Sequence, residues 1–190
     1  MSMDTLVIDI ETIPNRYEDY QKAFPKSKKK PGLHAIISEI VCIGLVETGK
    51  VSVLDRQQFA DERQILQWFA RVAHEHKNSN IVTFNGKNFD FPVIKMRAAF
   101  HKIKMELPDN RATRNIDLYE CAGGKWQSDI SSCTLSELAW MAFNEVKTSD
   151  GSEIARWWQD GNLGAIRAHC EEDCLITWRL YQAFRGVLWP

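Results

Sequence analysis

Apolar and polar positions along this chain follow two periods, and the places where the period changes mark out its elements. Thr5–Thr12 carries apolar residues toward both faces, the pattern of a strand buried inside a sheet. Tyr17–Phe24 reads as a short helix, and Pro25–Gly32 as a loop, because two prolines bracket a cluster of lysines. Ala35–Val46 and Lys50–Leu54 are apolar and rich in β-branched residues around Glu47-Thr48-Gly49, which predicts a hairpin beside the first strand. Asp61–His76 repeats its apolar residues with a helical period through Ile65, Leu66, Phe69 and Val72. Asn80–Phe84 then reads as a short buried strand, Asn88–Phe100 as a helix and Asn115–Leu118 as a brief extended piece. Gly123-Gly124 marks a break. Thr134-Leu135-Ser136-Glu137 has the form of a capping box opening the helix of Leu138 and Met141. A last helix is predicted over Leu163–Phe184, and no internal repeat is present.

Three strands, a helix, a strand and further helices in this order imply an α/β sheet with helices packed on it. In such sheets ligands bind at the strand ends. Asp9 and Glu11 fall there, and because side chains alternate along a strand they project from one face. Two like charges at the edge of an apolar sheet repel each other and resist desolvation. A divalent cation relieves both penalties, although the pair read alone is also compatible with ordinary solvated acids. Asn85-Gly86-Lys87-Asn88-Phe89-Asp90 follows a strand and opens a helix. There Gly86 is expected to give a tight turn, Asn88 to cap the helix, and Asp90 to lie in its first turn. An anion at that position suits the helix dipole and equally suits a metal. His169 and Asp173 are four apart on the last helix and therefore share a face, whereas Glu171 and Glu172 read as surface charge.

Composition narrows the picture without redirecting it. The 190 residues are 44% apolar and 26% charged, as expected of one globular domain. Twenty-four basic and 25 acidic residues leave a net charge of −1, which argues against gripping polyanions by overall charge. Local patches are not excluded, and the lysines of Pro25–Gly32 are either a solvated loop or a phosphate-contacting arm. Trp157-Trp158 suggests base stacking, but one of the two is expected in the core. Cys42, Cys121, Cys133, Cys170 and Cys174 show no zinc-type spacing. They suit a reducing cytoplasm, with Cys170 and Cys174 as buried thiols. No apolar run has the length of a membrane span, and nothing resembles a signal peptide, so a soluble protein with no membrane partner is expected.

Asp9-Ile10-Glu11-Thr12, Phe84-Asn85-Gly86 with Phe89-Asp90-Phe91-Pro92, and Cys170-Glu171-Glu172-Asp173 occur in the order of a known set. They resemble the three exonuclease motifs of the DEDD superfamily of 3′–5′ exonucleases. Within it they resemble the predicted exonucleases related to the proofreading domain of family B DNA polymerases. Thr134–Ala139 and Asp150-Gly151-Ser152 resemble that group's connecting region, so the likeness spans nearly the whole chain. It implies a ribonuclease H-like fold, a mixed central sheet with helices on both faces, as a single domain over 1–190.

The same resemblance implies a two-metal exonuclease releasing nucleoside 5′-monophosphates from single-stranded DNA. Asp9, Glu11, Asp90 and Asp173 would hold two Mg²⁺ or Mn²⁺ ions. Asn85 and Phe89 would touch the substrate, and Asp117 resembles a family position read as structural. The partner would be a DNA or RNA 3′ end, with any polymerase or repair partner unknown. The superfamily's third motif carries a Tyr four residues before its last Asp, or a His five before it. Here His169 stands at the Tyr spacing and Ala168 at the other. His169 therefore either takes a proton from the attacking water, orients that water, or marks weakened catalysis. The alternatives to a deoxyribonuclease are an exoribonuclease of the same mechanism and a module that binds nucleic acid or a partner.

Overall fold

The computed structural model describes residues 4–30, 32–109, 112–123 and 133–188. Its strands are β1 (Thr5–Pro14), β2 (Ser38–Glu47), β3 (Lys50–Asp55), β4 (Asn80–Thr83) and β5 (Asn115–Asp117). Its helices are α1 (Tyr17–Ala23), α2 (Glu62–Glu75), α3 (Asp90–Phe100), α4 (Leu118–Cys121), α5 (Leu135–Phe143), α6 (Ile154–Gln159) and α7 (Leu163–Phe184). A 3₁₀ turn, Gly151–Glu153, precedes α6.

The strands form one sheet in the order β3-β2-β1-β4-β5, antiparallel from β3 to β1 and parallel from β1 to β5. Alternation along β1 divides the core. Leu6, Ile8 and Ile10 pack with Ile65, Leu66 and Phe69 of α2 and Phe91 and Ile94 of α3. Val7 packs on the opposite face with Leu180 and Tyr181 of α7 and Ala139 of α5. Ile13 continues that second face with Ile154 and Ile166. Helices therefore cover both faces of a mixed sheet, as expected. Where Glu11 pairs with Cys42 and Thr12 with Ile40, β2 carries one extra residue, Val41. The bulge leaves the alternation of β1 intact, so Asp9 and Glu11 look toward α7.

Boundaries move where side chains compete with the regular pattern. The strand expected from Ala35 begins at Ser38, because Ser38 Oγ donates to the carbonyl of His34 at 2.8 Å and accepts from its amide at 3.1 Å. That exchange closes a turn. The helix expected from Asn88 begins at Asp90, and Asn88 does not cap it: its amide donates to Asn85 Oδ1 at 2.8 Å. The short α4, not foreseen in the sequence, is capped by Asp117, which accepts from Tyr119 N at 3.1 Å. The capping box at Thr134 and Glu137 forms as expected. Gly124 of the expected break and Pro31 of the lysine loop lie outside the described residues. Among the described residues no helix is long and apolar enough to cross a membrane.

Buried Glu62 joins three elements. It accepts from Ile40 N at 2.8 Å, from Arg97 Nε at 2.9 Å and from His101 Nε2 at 2.7 Å, tying α2 to β2 and α3. This holds α3 against the sheet, so its first turn is delivered to one place at the sheet's edge.

Candidate active site

The cleft exists because β4 is short. It pairs with β1 only at Thr5–Val7, so past Val7 that edge of β1 has no strand neighbour. A backbone N–H left there in the interior would be costly to strand. Asp90 accepts the N–H of Ile10 at 3.1 Å, replacing the missing ladder bond with a carboxylate. One side chain thus closes the edge and puts a third acid beside Asp9 and Glu11.

The turn that delivers Asp90 is held from β5. Buried Asp117 accepts Asn85 N at 2.7 Å and Lys87 N at 3.0 Å, in addition to Tyr119 N. Asn85, not Gly86, takes the left-handed conformation, at φ 62°. Gly86 is needed for a different reason: a Cβ there would sit 2.5 Å from Cβ and Oγ1 of Thr83. Asn85 and Phe89 face the cleft, Phe89 with part of its ring packed against the core.

On the opposite wall α7 presents His169 and Asp173. His169 Nε2 lies 3.5 Å from Glu11 Oε1 and 3.8 Å from Asp173 Oδ2. Its Nδ1 hydrogen-bonds with Ser149 Oγ at 2.6 Å. Lys147 Nζ sits 2.5 Å from Asp173 Oδ1 and donates to Oδ2 at 2.7 Å. All seven residues singled out in the sequence, Asp9, Glu11, Asn85, Phe89, Asp90, His169 and Asp173, line one cleft of about 570 Å³.

Sequence reasoning missed two residues of the segment between α5 and α6: Lys147, which lines the cleft, and Ser149, which bonds to His169. The signal available was Asp150-Gly151-Ser152 immediately after them, together with the need of several acids for a nearby cation. It also misjudged Glu172, which accepts from Thr148 N at 2.9 Å and Ser149 Oγ at 3.2 Å and so anchors the segment carrying Lys147. Glu171 does pair on the surface, with Arg167 at 3.0 Å. Neither tryptophan is fully buried: Trp157 packs edge-on near His169 at 6.0 Å between ring centroids, and Trp158 lies under Arg56.

The electrostatics of the cleft are those of a site short of positive charge. Burial first, then the neighbouring Cys170 and the other acids, push Asp9 and Glu11 well above the usual carboxylate range. Burial raises Asp90 to about 8 against the opposing hydrogen bonds of its own amide and of Ile10. Asp173 is raised by burial, with Lys147 and His169 opposing. Burial lowers His169, against Asp173, which favours an imidazole that is neutral and able to accept a proton. Four carboxylates with so little compensation cannot all ionise unless cations join them. Their oxygens are the donors that Mg²⁺ and Mn²⁺ take, so the residues fit such ions. Glu11, His169 and Asp173 alone bring three donor atoms within 4.8 Å of one another.

The lysine loop borders the same cleft. Gly32 and Leu33 line it, and Thr12 Oγ1 donates to the carbonyl of Gly32, while Lys26, Lys28, Lys29 and Lys30 are exposed.

A profile of the RNase_H superfamily matches residues 31–185. A DNA polymerase of Pyrococcus horikoshii is 23% identical over 198 residues, covering 94% of this chain and 15% of the polymerase. A DNA polymerase of Archaeoglobus fulgidus is 24% identical over 133 residues, covering 62% of this chain and 17% of the polymerase. Among solved structures, the family B DNA polymerase from the hyperthermophilic archaeon Pyrobaculum calidifontis superposes with a TM-score of 0.71 at 17% identity. That match covers 97% of this chain and 25% of the polymerase chain. The chain thus spans less than a fifth of the length of the curated relatives it matches. The ribonuclease H-like fold and the resemblance to exonucleases related to family B polymerases, both expected from the motifs, hold.

Proposed function

We propose that this chain, which belongs to the RNase_H superfamily, is a metal-dependent 3′–5′ exonuclease that releases nucleoside 5′-monophosphates from single-stranded DNA ends. The observation that carries this reading is the convergence of Asp9, Glu11, Asp90, Asp173 and His169 on one cleft, beyond the end of β4 and along the stretch of β1 that β4 leaves unpaired. Membership of the RNase_H superfamily and the similarity to DNA polymerases support nucleic acid as the substrate class.

Asp9, Glu11, Asp90 and Asp173 would hold two divalent cations, Mg²⁺ or Mn²⁺. When bound, such ions would supply Lewis-acid stabilisation to the attacking and leaving oxygens of an in-line phosphoryl displacement. The chain's own groups do the rest. His169, held through Nδ1 by Ser149, presents Nε2 beside Glu11 and Asp173 and there accepts a proton from the attacking water. The water oxygen bonds to phosphorus as the bond to the 3′-oxygen breaks, and that oxygen leaves with the electron pair and takes up a proton from solvent to become the new 3′-hydroxyl. Lys147 places a fixed positive charge on Asp173, where negative charge gathers on the phosphate. Asn85 and Phe89 receive the terminal nucleotide, and the exposed lysines after α1 contact phosphates further along the strand.

The test uses the purified chain with 5′-labelled and 3′-labelled single strands of DNA and RNA, with Mg²⁺ or Mn²⁺. Stepwise shortening from the 3′ end is expected. EDTA should abolish it, and Asp9→Ala should reduce it by about 10²-fold or more, since several kcal/mol of charge stabilisation disappears. Tight binding with no cation-dependent product would sink the reading, and a preference for the RNA strand would redirect it to an exoribonuclease.

A further inference from the structure

Behind Asp9 lie three buried thiols, Cys42 on β2 and Cys170 and Cys174 on α7, for which the reaction proposed above has no use. A spacing of four puts Cys170 and Cys174 on one helical face. That face is turned to Gly44, the residue opposite Asp9 in the β1–β2 ladder. A Cβ at Gly44 would lie 2.7 Å from Cys170 Sγ and 2.5 Å from Cys174 Sγ. The missing side chain lets both sulfurs settle against the sheet beside Asp9. Donor atoms of Asp9, Cys170 and Cys174 all fall within 4.8 Å of one another. Cys170 Sγ stands 3.7 Å from Asp9 Oδ2 and 3.9 Å from the Asp9 carbonyl oxygen.

The 3.7 Å between Cys170 Sγ and Asp9 Oδ2 matches a coordination shell. Tetrahedral zinc, with bonds of about 2.3 Å to sulfur and about 2.1 Å to a carboxylate oxygen, separates two such donors by about 3.6 Å. Sulfur ligands select zinc and softer cations over Mg²⁺ and Mn²⁺. Asp9 both lines the cleft and offers Cys170 Sγ a carboxylate oxygen at 3.7 Å, so an ion from the cleft meets the thiols through it.

We propose that Asp9, Cys170 and Cys174 form a second metal site, for Zn²⁺ or another thiophilic cation, which shares Asp9 with the carboxylate site. Ligation releases the proton of each thiol to solvent as the two metal–sulfur bonds form. Because Asp9 belongs to both donor sets, zinc bound to the sulfurs draws its carboxylate toward α7 and opposes the cations that support activity. This inhibitory consequence rests on the nuclease reading; the binding itself does not.

The remaining thiols, exposed Cys121 and half-buried Cys133, are first removed as Cys121→Ser/Cys133→Ser. Cd²⁺ is then titrated into that protein, following the thiolate-to-cadmium charge-transfer band in the ultraviolet together with proton release. A saturable band at one ion per chain is expected, with about two protons released per ion. Its absence overturns the site without any further variant. Cys174→Ala and Cys174→Ser in the same background should lose the band while Mn²⁺ binding, read by electron paramagnetic resonance, is retained. A band that survives both variants also overturns the site. With activity measured in Mg²⁺, Cys174→Ala should need at least about tenfold more Zn²⁺ for half-inhibition. Equal zinc sensitivity would assign the inhibition to Glu11, His169 and Asp173 and overturn the sharing of Asp9. A protein inactive in Mg²⁺ but showing the cadmium band would instead refute the nuclease reading and leave the thiol site standing.

Discussion

His169 is held through Nδ1 by Ser149 at 2.6 Å, which aims Nε2 toward Glu11 at 3.5 Å, so its position at the spacing of another residue type still gives it a defined orientation. Burial lowers its pKa from the ordinary 6.5, so the imidazole becomes a proton acceptor as pH rises through a value below that. If it serves as the base, the rate falls on the acid side, and His169→Ala lowers kcat by about 10²–10⁴-fold and removes that limb of the pH–rate profile. An unchanged profile in the variant would reduce His169 to packing. Lys147 makes a prediction with two opposite signs. In the proposed reaction its ammonium, in contact with Asp173, would stabilise the reacting phosphate yet compete with a divalent cation for that carboxylate. Lys147→Met should therefore lower kcat while also lowering the Mg²⁺ concentration for half-maximal rate. A rise in that concentration would show that Lys147 assists cation binding instead.

At the level of elements, the position of Asp90 depends on a residue outside the cleft. Asp117, at the end of β5, receives three backbone N–H groups, two of them from the turn that leads into α3. Asp117→Ala strands those donors in a mostly buried place, and each buried unsatisfied group costs about 1–3 kcal/mol. A loss of at least about 2 kcal/mol is expected, or a melting temperature lower by about 4–8 °C for a chain of this size. Activity should fall with it as Asp90 loses its fixed approach to Ile10. Asp117→Asn keeps one acceptor oxygen and should recover part of both losses. A variant of normal stability and activity would show that Gly86, close against Thr83, holds the turn unaided. The elements themselves were largely legible in the sequence, since the periods of β1, α2 and α7 are set by burial on known faces. The start of α3 was not, because Asn88 bonds to Asn85 and leaves the helix to begin at Asp90.

For the molecule as a whole, the acids of the cleft couple folding to pH and to cations. Asp90, raised from 3.8 to about 8, keeps in the folded state a proton that the unfolded chain releases. Its contribution to stability is full below about pH 4 and is lost as pH rises through about 8, and Asp9 and Glu11 act in the same direction. His169 has the opposite sense, its lowered pKa penalising the fold as pH falls below 6.5. With the three acids outweighing it, the melting temperature in EDTA should fall between about pH 5 and about pH 8. Mg²⁺ or Mn²⁺ should raise it, and by more at the higher pH, where cations compete with fewer protons. A cation effect independent of pH would mean that these acids do not bind the ion. That Asp9 and Glu11 share a face, and His169 and Asp173 another, follows from local order alone, because strand and helix periods are properties of neighbouring residues. The meeting of these faces, the closure by Asp90 of the edge left open by β4, and the part taken by Lys147, Ser149 and Asp117 come from the packed fold. It alone also set Cys170 against Asp9, 161 positions away in the chain. Such meetings follow from the order of strands in the sheet and from which helix covers which face, and burial of the whole core selects these where local periodicity does not.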